Sequence, residues 1–323
     1  MIAQPYPSVA WYRDPTEGAP PMVHSYVAAL ATSLQARGEP VDLTHLMGAS
    51  GWAFRIIAHE DLCPSATSVF DWGGILPETV RQAGYGVTHH FAYGEEPRRE
   101  LRPQALAAIR AALDAGSLPL GWDVQEPPEW GVITGYDDDA GLLHTQYEGV
   151  PATLPYDRLG EREIAILSVI IPGAREPQPE ERAIAEALGI AMRHARQEEW
   201  LERPAYQDGP AAYGQWARAM TERADTANWE MAWYYGVTWY AARWYAARWL
   251  ERLAAERPAL GEAAAAYAEV RDHLHAVWQG LQTRERLPAE AAAALAQELR
   301  AAQAAEERGV TAIVSSAWHR RAP

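Results

Sequence analysis

Strand-forming patterns stop near residue 173, and that change constrains the chain more than any other feature. Before it, β-branched and glycine-bounded runs alternate with short helical patterns. After it Ala, Glu, Arg and Trp dominate, and only helical periodicity remains. The junction Pro172-Gly173-Ala174-Arg175-Glu176-Pro177-Gln178-Pro179 has the proline and charge of a domain linker. The expected division is residues 1–174 and 175–323.

In the first part, Val23, Tyr26, Val27, Leu30 and Leu34 repeat at helical spacing and predict a helix over 21–37, closed by Gly38. Further helices are expected at 43–47, 77–83 and 97–115, and strands at 52–58, 87–93, 118–124, 130–136, 142–147 and 163–171. One group of helices followed by an antiparallel meander reads as an α+β domain. The second part predicts helices at 179–202, 210–223, 226–256, 259–283 and 288–308, punctuated by Pro204, Pro258 and Pro288, and so an all-α bundle.

Charge narrows the function. With 28 basic residues, all Arg, against 43 acidic ones, the net charge is −15. Such a surface repels phosphate backbones and anionic lipid, so neither nucleic-acid nor membrane binding is expected. Cys63 is the only cysteine, which excludes an internal disulfide and a cysteine-rich zinc cluster. No signal-peptide pattern occurs at Met1–Pro5 and no apolar run is long enough to cross a bilayer, so a cytoplasmic protein is expected.

Three segments carry the most information: Met22-Val23-His24-Ser25-Tyr26-Val27, Leu46-Met47-Gly48-Ala49-Ser50-Gly51-Trp52-Ala53-Phe54-Arg55, and Glu129-Trp130-Gly131-Val132-Ile133-Thr134-Gly135-Tyr136-Asp137. Together they resemble the N-terminal domain of the butirosin-biosynthesis acyltransferase family, a branch of the papain-like cysteine peptidase superfamily. The resemblance covers roughly residues 20–171. It implies a papain-like fold, with a cysteine opening the first long helix and a histidine opening the strand that runs into the Gly-Tyr-Asp turn. It also implies aminoglycoside-like or acyl-carrier-linked substrates. A helix N-terminus stabilises a thiolate, and a facing imidazole takes its proton.

This chain departs from that pattern at both positions. Ser25 stands where the cysteine belongs and Glu129 where the histidine belongs. A serine alcohol needs a strong, aimed base, and a carboxylate near its reference pKa of about 4 is a poor one at neutral pH. The ordinary dyad is missing.

Other candidates are weaker. Cys63 lies four residues after His59, but Pro64 stops a helix from aligning them, so it is an alternative nucleophile only. His59, Asp61 and Cys63 are poorly spaced metal ligands, and no metal or other cofactor is expected. His89 and His90 alternate across a strand. Asp137-Asp138-Asp139 lacks the ligand spacing of a calcium loop and reads as a solvated turn.

The 226–256 helix holds Trp229, Trp233, Trp239, Trp244 and Trp249, too much aromatic surface for one packed face. It is either central in its bundle or buries a second face against another domain, a ligand or a second copy of the chain.

The sequence therefore reads as a papain-like α+β domain followed by a helical bundle. The favoured function is a degenerate, pseudoenzyme-like domain that binds a small molecule, acyl group or peptide between the Ser25 helix and the Glu129 strand. His24, Trp122, Trp130 and Tyr136 are expected to shape that site. Two alternatives stand: an amidase, peptidase or acyltransferase using Ser25 or Cys63, and an oligomeric scaffold built on the tryptophan-rich helix.

Overall fold

The computed structural model describes residues 9–21, 24–199 and 203–318. Helices α1 (Ser25–Ala36) and α2 (Leu43–Ala49) are followed by strand β1 (Ile57–His59), helix α3 (Trp72–Gln82), strand β2 (Tyr85–Ala92) and helix α4 (Glu95–Asp114). Then come β3 (Leu120–Trp122), β4 (Trp130–Asp137), β5 (Leu142–Tyr147), β6 (Val150–Pro155) and β7 (Leu167–Arg175). The remainder is α5 (Glu180–Ala195), β8 (Tyr206–Asp208), α6 (Ala211–Thr221), α7 (Trp229–Glu256), α8 (Gly261–Gly280) and α9 (Ala289–Ser316). The chain is thus a mixed helix-and-sheet protein with an antiparallel sheet and a helical C-terminal region.

Two compact units form, and they interleave in sequence. Unit one takes the described part of Met1–Pro15, then Ser25–Asp42 and Trp72–Pro177. Unit two takes the described parts of Thr16–His24 and Gln178–Pro323, together with Leu43–Asp71.

Unit one is built on a six-stranded antiparallel sheet in the order β2-β7-β3-β4-β5-β6. Strand alternation separates two apolar faces. On one face the rings of Trp122 and Trp130, directly opposed across β3 and β4, meet Trp72 of α3 at 5.0 and 5.6 Å. Tyr26 of α1 joins them 5.0 Å from Trp130. On the other face Ile133, Leu167 and Val169 pack with Ala105 and Ile109 of α4. Edge strand β6 is absent from the sequence expectation because Pro151 and Pro155 argue against a strand. An edge tolerates both, since on one side of β6 no other strand pairs with it among the described residues.

Unit two contains helices at each of the five places expected, and α7 is buried around most of its circumference. Tyr235, Trp239, Tyr245 and Trp249 are all at most 4% exposed within this single chain. The helix expected over 179–202 ends at Ala195, and 200–202 lie outside the described residues, as do 22 and 23 at the start of the helix expected over 21–37.

Two expectations need correction. Strand β8 exists after residue 173, pairing with β1; three residues are too few to show a period. Residues 52–58 are not one strand: Trp52–Phe54 form a 3₁₀ turn and β1 starts at Ile57. The cause is Arg243 of α7, whose guanidinium takes the Ala53 and Arg55 carbonyls at 3.1 and 2.7 Å, acceptors a strand would give to a ladder. Arg243 also forms a two-armed pair with Glu306 of α9 at 2.8 and 2.7 Å, and both side chains are buried.

Gly48 shows how closely α2 approaches α7: a Cβ there would lie 2.1 Å from Trp249 Cγ. In an open helix Gly→Ala gains about 1 kcal/mol. Here Gly48→Ala is expected to lose about 1–3 kcal/mol through overpacking. Urea unfolding measures it, and an unchanged or raised midpoint would rule out this close approach.

Candidate functional site

Ser25 is the first residue of α1 and Glu129 directly precedes β4. The β3–β4 connection holds Glu129 through its backbone: its N–H donates to the Pro127 carbonyl at 2.8 Å and its carbonyl accepts the Asp123 N–H at 3.0 Å. Asp123 is itself anchored, accepting from Arg162 and from the Ile164 N–H, each at 3.0 Å. The half-buried Glu129 side chain thereby meets the helix start. Ser25 Oγ donates to Glu129 Oε2 at 2.5 Å and accepts the Trp130 N–H at 3.3 Å.

That oxygen is used on both sides. Its proton goes to a carboxylate and a lone pair goes to a backbone N–H, so the hydroxyl bridges α1 to β4. Tyr147, at the end of β5, lies within electrostatic range of the same carboxylate. Its phenol is pushed up, first by burial and then by the charge of Glu129. Gln146 and Tyr147 are not signalled by any motif, because only the β4–β5 register, which sets Gln146 opposite Val132, brings them to this end of β4.

The other expected residues are distributed differently. Trp122 and Trp130 form the ring wall against Trp72, and Trp122 Nε1 is buried without a hydrogen-bond partner among the described residues. Tyr136 lies at the far end of β4 from Ser25, where its hydroxyl donates to Asp114 at 2.9 Å beneath the Arg110 guanidinium. It does not join the Ser25–Glu129 pair.

His24 belongs to unit two. Its Nε2 bonds the Thr67 carbonyl at 2.8 Å and its ring sits edge-on to Trp52 at 4.7 Å. Burial, partly opposed by the Thr67 bond, lowers its pKa from 6.5 to about 4. The imidazole is therefore neutral at physiological pH, with Nε2 as the donor.

Cys63 also lies in unit two, half-buried, with its sulfur accepting the Ser65 hydroxyl at 2.9 Å. Ser65 bonds Tyr206 as well, at 2.9 Å. His59 Nδ1 accepts the Asp61 N–H at 3.0 Å, so that nitrogen is not offered to the thiol. Asp61 itself receives Arg223 and Thr226. His89 bonds Ser168 at 2.9 Å, and burial lowers the pKa of His90. Asp138 accepts Arg110 and Tyr156, and Asp137 accepts the Ala140 N–H. Among the described residues, no three or more His, Cys, Asp or Glu are grouped to hold a metal ion. No described helix is long and apolar enough to cross a membrane.

Comparison with protein-family models and with curated proteins finds no match to this chain.

The depressed His24 pKa sets a pH dependence of stability. The unfolded histidine takes up a proton below about 6.5 and the folded one only near 4, so stability falls as pH drops through that window. The full effect is roughly 3 kcal/mol. A second group acts in a lower window: burial raises Glu199, but Arg55 and His194 outweigh it and bring it from 4.5 to about 2. His24→Gln should flatten the unfolding free energy between pH 6.5 and 4. An unchanged slope in that variant would assign the effect to another group.

Proposed function

We propose that unit one is a papain-like domain that has given up covalent catalysis for non-covalent binding. The ligand, a small molecule, acyl group or peptide, is bound beside Ser25 and Glu129. The supporting observation is the double engagement of Ser25 Oγ by Glu129 and the Trp130 N–H. A serine nucleophile needs a free lone pair and a base that can hold its proton and later return it to a leaving group. Here one of the two Oγ lone pairs is already engaged by the Trp130 N–H, and the acceptor of the proton is a carboxylate, a residue type whose reference pKa of about 4 matches neutral-pH proton shuttling badly.

Non-covalent recognition suits the same atoms. Glu129 is half-buried, so its carboxylate can accept N–H or O–H groups from a ligand while Ser25 fixes its orientation. Trp122 Nε1 supplies a buried donor in the adjoining ring wall, and Tyr147 flanks the carboxylate.

A fluorophosphonate probe, which phosphonylates an activated serine and expels fluoride, and an acyloxymethyl ketone probe, which alkylates an activated thiolate and expels carboxylate, test the reading against wild type, Ser25→Ala and Cys63→Ala. The expected result is no labelling above that of heat-denatured protein, with Ser25→Ala indistinguishable from wild type. Wild-type labelling that disappears in Ser25→Ala or in Cys63→Ala would instead establish an acyl-transfer enzyme.

The bridge also has a structural effect. Ser25→Ala leaves the Trp130 N–H and Glu129 without their shared partner, an expected loss of about 1–3 kcal/mol. A Ser25→Ala/Glu129→Ala double-mutant cycle in chemical denaturation should give a clear coupling energy, and strict additivity would argue against the bond.

A further inference from the structure

Gln146 is 1% exposed, yet its side-chain amide is spent entirely on another segment's main chain. The Val9 N–H donates to Gln146 Oε1 at 3.0 Å, and Gln146 Nε2 donates to the Val9 carbonyl. A carboxamide has the donor and acceptor of one peptide group, so this pair copies one rung of a strand ladder. It reads backbone and ignores side-chain identity.

A second backbone contact lies three residues on. The Tyr12 N–H donates to Thr32 Oγ1 at 3.0 Å, while Thr32 donates to the Ala28 carbonyl at 2.8 Å. That second bond turns an oxygen lone pair toward the Tyr12 N–H. Between the two, the Trp11 ring stands edge-on to Tyr147 at 5.6 Å. Tyr147 is the residue that senses the Glu129 charge. All of these residues belong to unit one, and residues 9–12 have no helix or strand of their own.

We infer that residues 9–12 fill an extended-peptide site beside the Ser25–Glu129 pair as a built-in occupant, and that unit one's ligand is a peptide with an aromatic side chain in the place of Trp11. The inference rests on the non-covalent reading above and narrows its ligand to one class. Main-chain hydrogen bonds provide the general grip and one aromatic contact provides selectivity, the division used when a peptide is bound in extended form. A vacated site exchanges both Gln146–Val9 hydrogen bonds for bonds to water, and another extended backbone restores them.

The test uses the full chain with a sequence-specific protease site inserted in the Thr16–Ala19 turn, where Gly18 is exposed with a φ of 75°. The protein folds intact, is cut, and is separated from the released segment by gel filtration. A fluorescent synthetic peptide of residues 5–14 is then titrated into cut and uncut protein, with circular dichroism confirming that both stay folded. A tethered segment has an effective concentration on the order of millimolar, so a peptide of about 10 μM affinity should bind the uncut chain roughly a hundredfold more weakly. A peptide carrying Trp11→Ala should bind cut wild-type protein about tenfold more weakly, as should the wild-type peptide on Gln146→Leu protein. The Trp11→Ala peptide needs no altered protein, so it decides the matter even where Gln146→Leu fails to fold. Equal binding by cut and uncut chains, a cut segment that never exchanges with labelled peptide, or indifference to Trp11→Ala would each overturn the inference. These outcomes separate from those of the parent reading: peptide failure with Ser25 unlabelled removes only the peptide assignment, whereas fluorophosphonate labelling of Ser25 removes the non-covalent reading itself.

Discussion

A single hydroxyl shared between a carboxylate and a backbone N–H ties the first helix of unit one to its sheet. Ser25 Oγ joins the start of α1 to the start of β4, donating its proton to Glu129 and accepting the Trp130 N–H. The ring wall behind them, Trp72, Trp122 and Trp130, keeps that geometry rigid, because side chains packed at crystal-like density cannot drift without opening a void.

How much of this could be read from residues alone follows from range. That Ser25 and Glu129 meet is expected only from the family resemblance, which implies one on the first long helix and the other opening a strand of the facing sheet; neither local motif alone relates residues 104 apart. Tyr136 sits in the same motif as Glu129, but the length of β4 carries it away to Asp114 and Arg110, which a motif without strand dimensions does not reveal. Gln146, Tyr147 and the 9–12 segment carry no motif; they meet the site only through strand pairing and a long-range side-chain contact. Strands β6 and β8 were hidden for two different reasons, prolines in one and brevity in the other.

The tryptophan-rich helix illustrates a different limit. Its aromatic content indicated burial on more than one side, and α7 is indeed enclosed within unit two. What the periodicity could not show is the fully buried Arg243 in its middle. Paired with Glu306 and capping two carbonyls of the 53–55 turn, that cation is compensated by geometry rather than by water. Removing one partner of such a pair strands the other charge, which is far more damaging than replacing both. Arg243 therefore fixes a register among α7, α9 and the Trp52–Phe54 turn that apolar packing alone would leave less specific.

The interleaving of the two units has a consequence for how the polypeptide is made. Leu43–Asp71 emerges from the ribosome before any of the helices with which it shares a core. Leu46, Trp52, Phe54 and Ile57, all buried in the finished protein, must wait in solvent until α7 and its neighbours are synthesised. Unit one, whose last residues come at Pro177, can close its sheet while that segment hangs free as a long excursion between α1 and α3. The nascent chain thus carries an adhesive stretch through more than half of its translation, a natural point for chaperone capture.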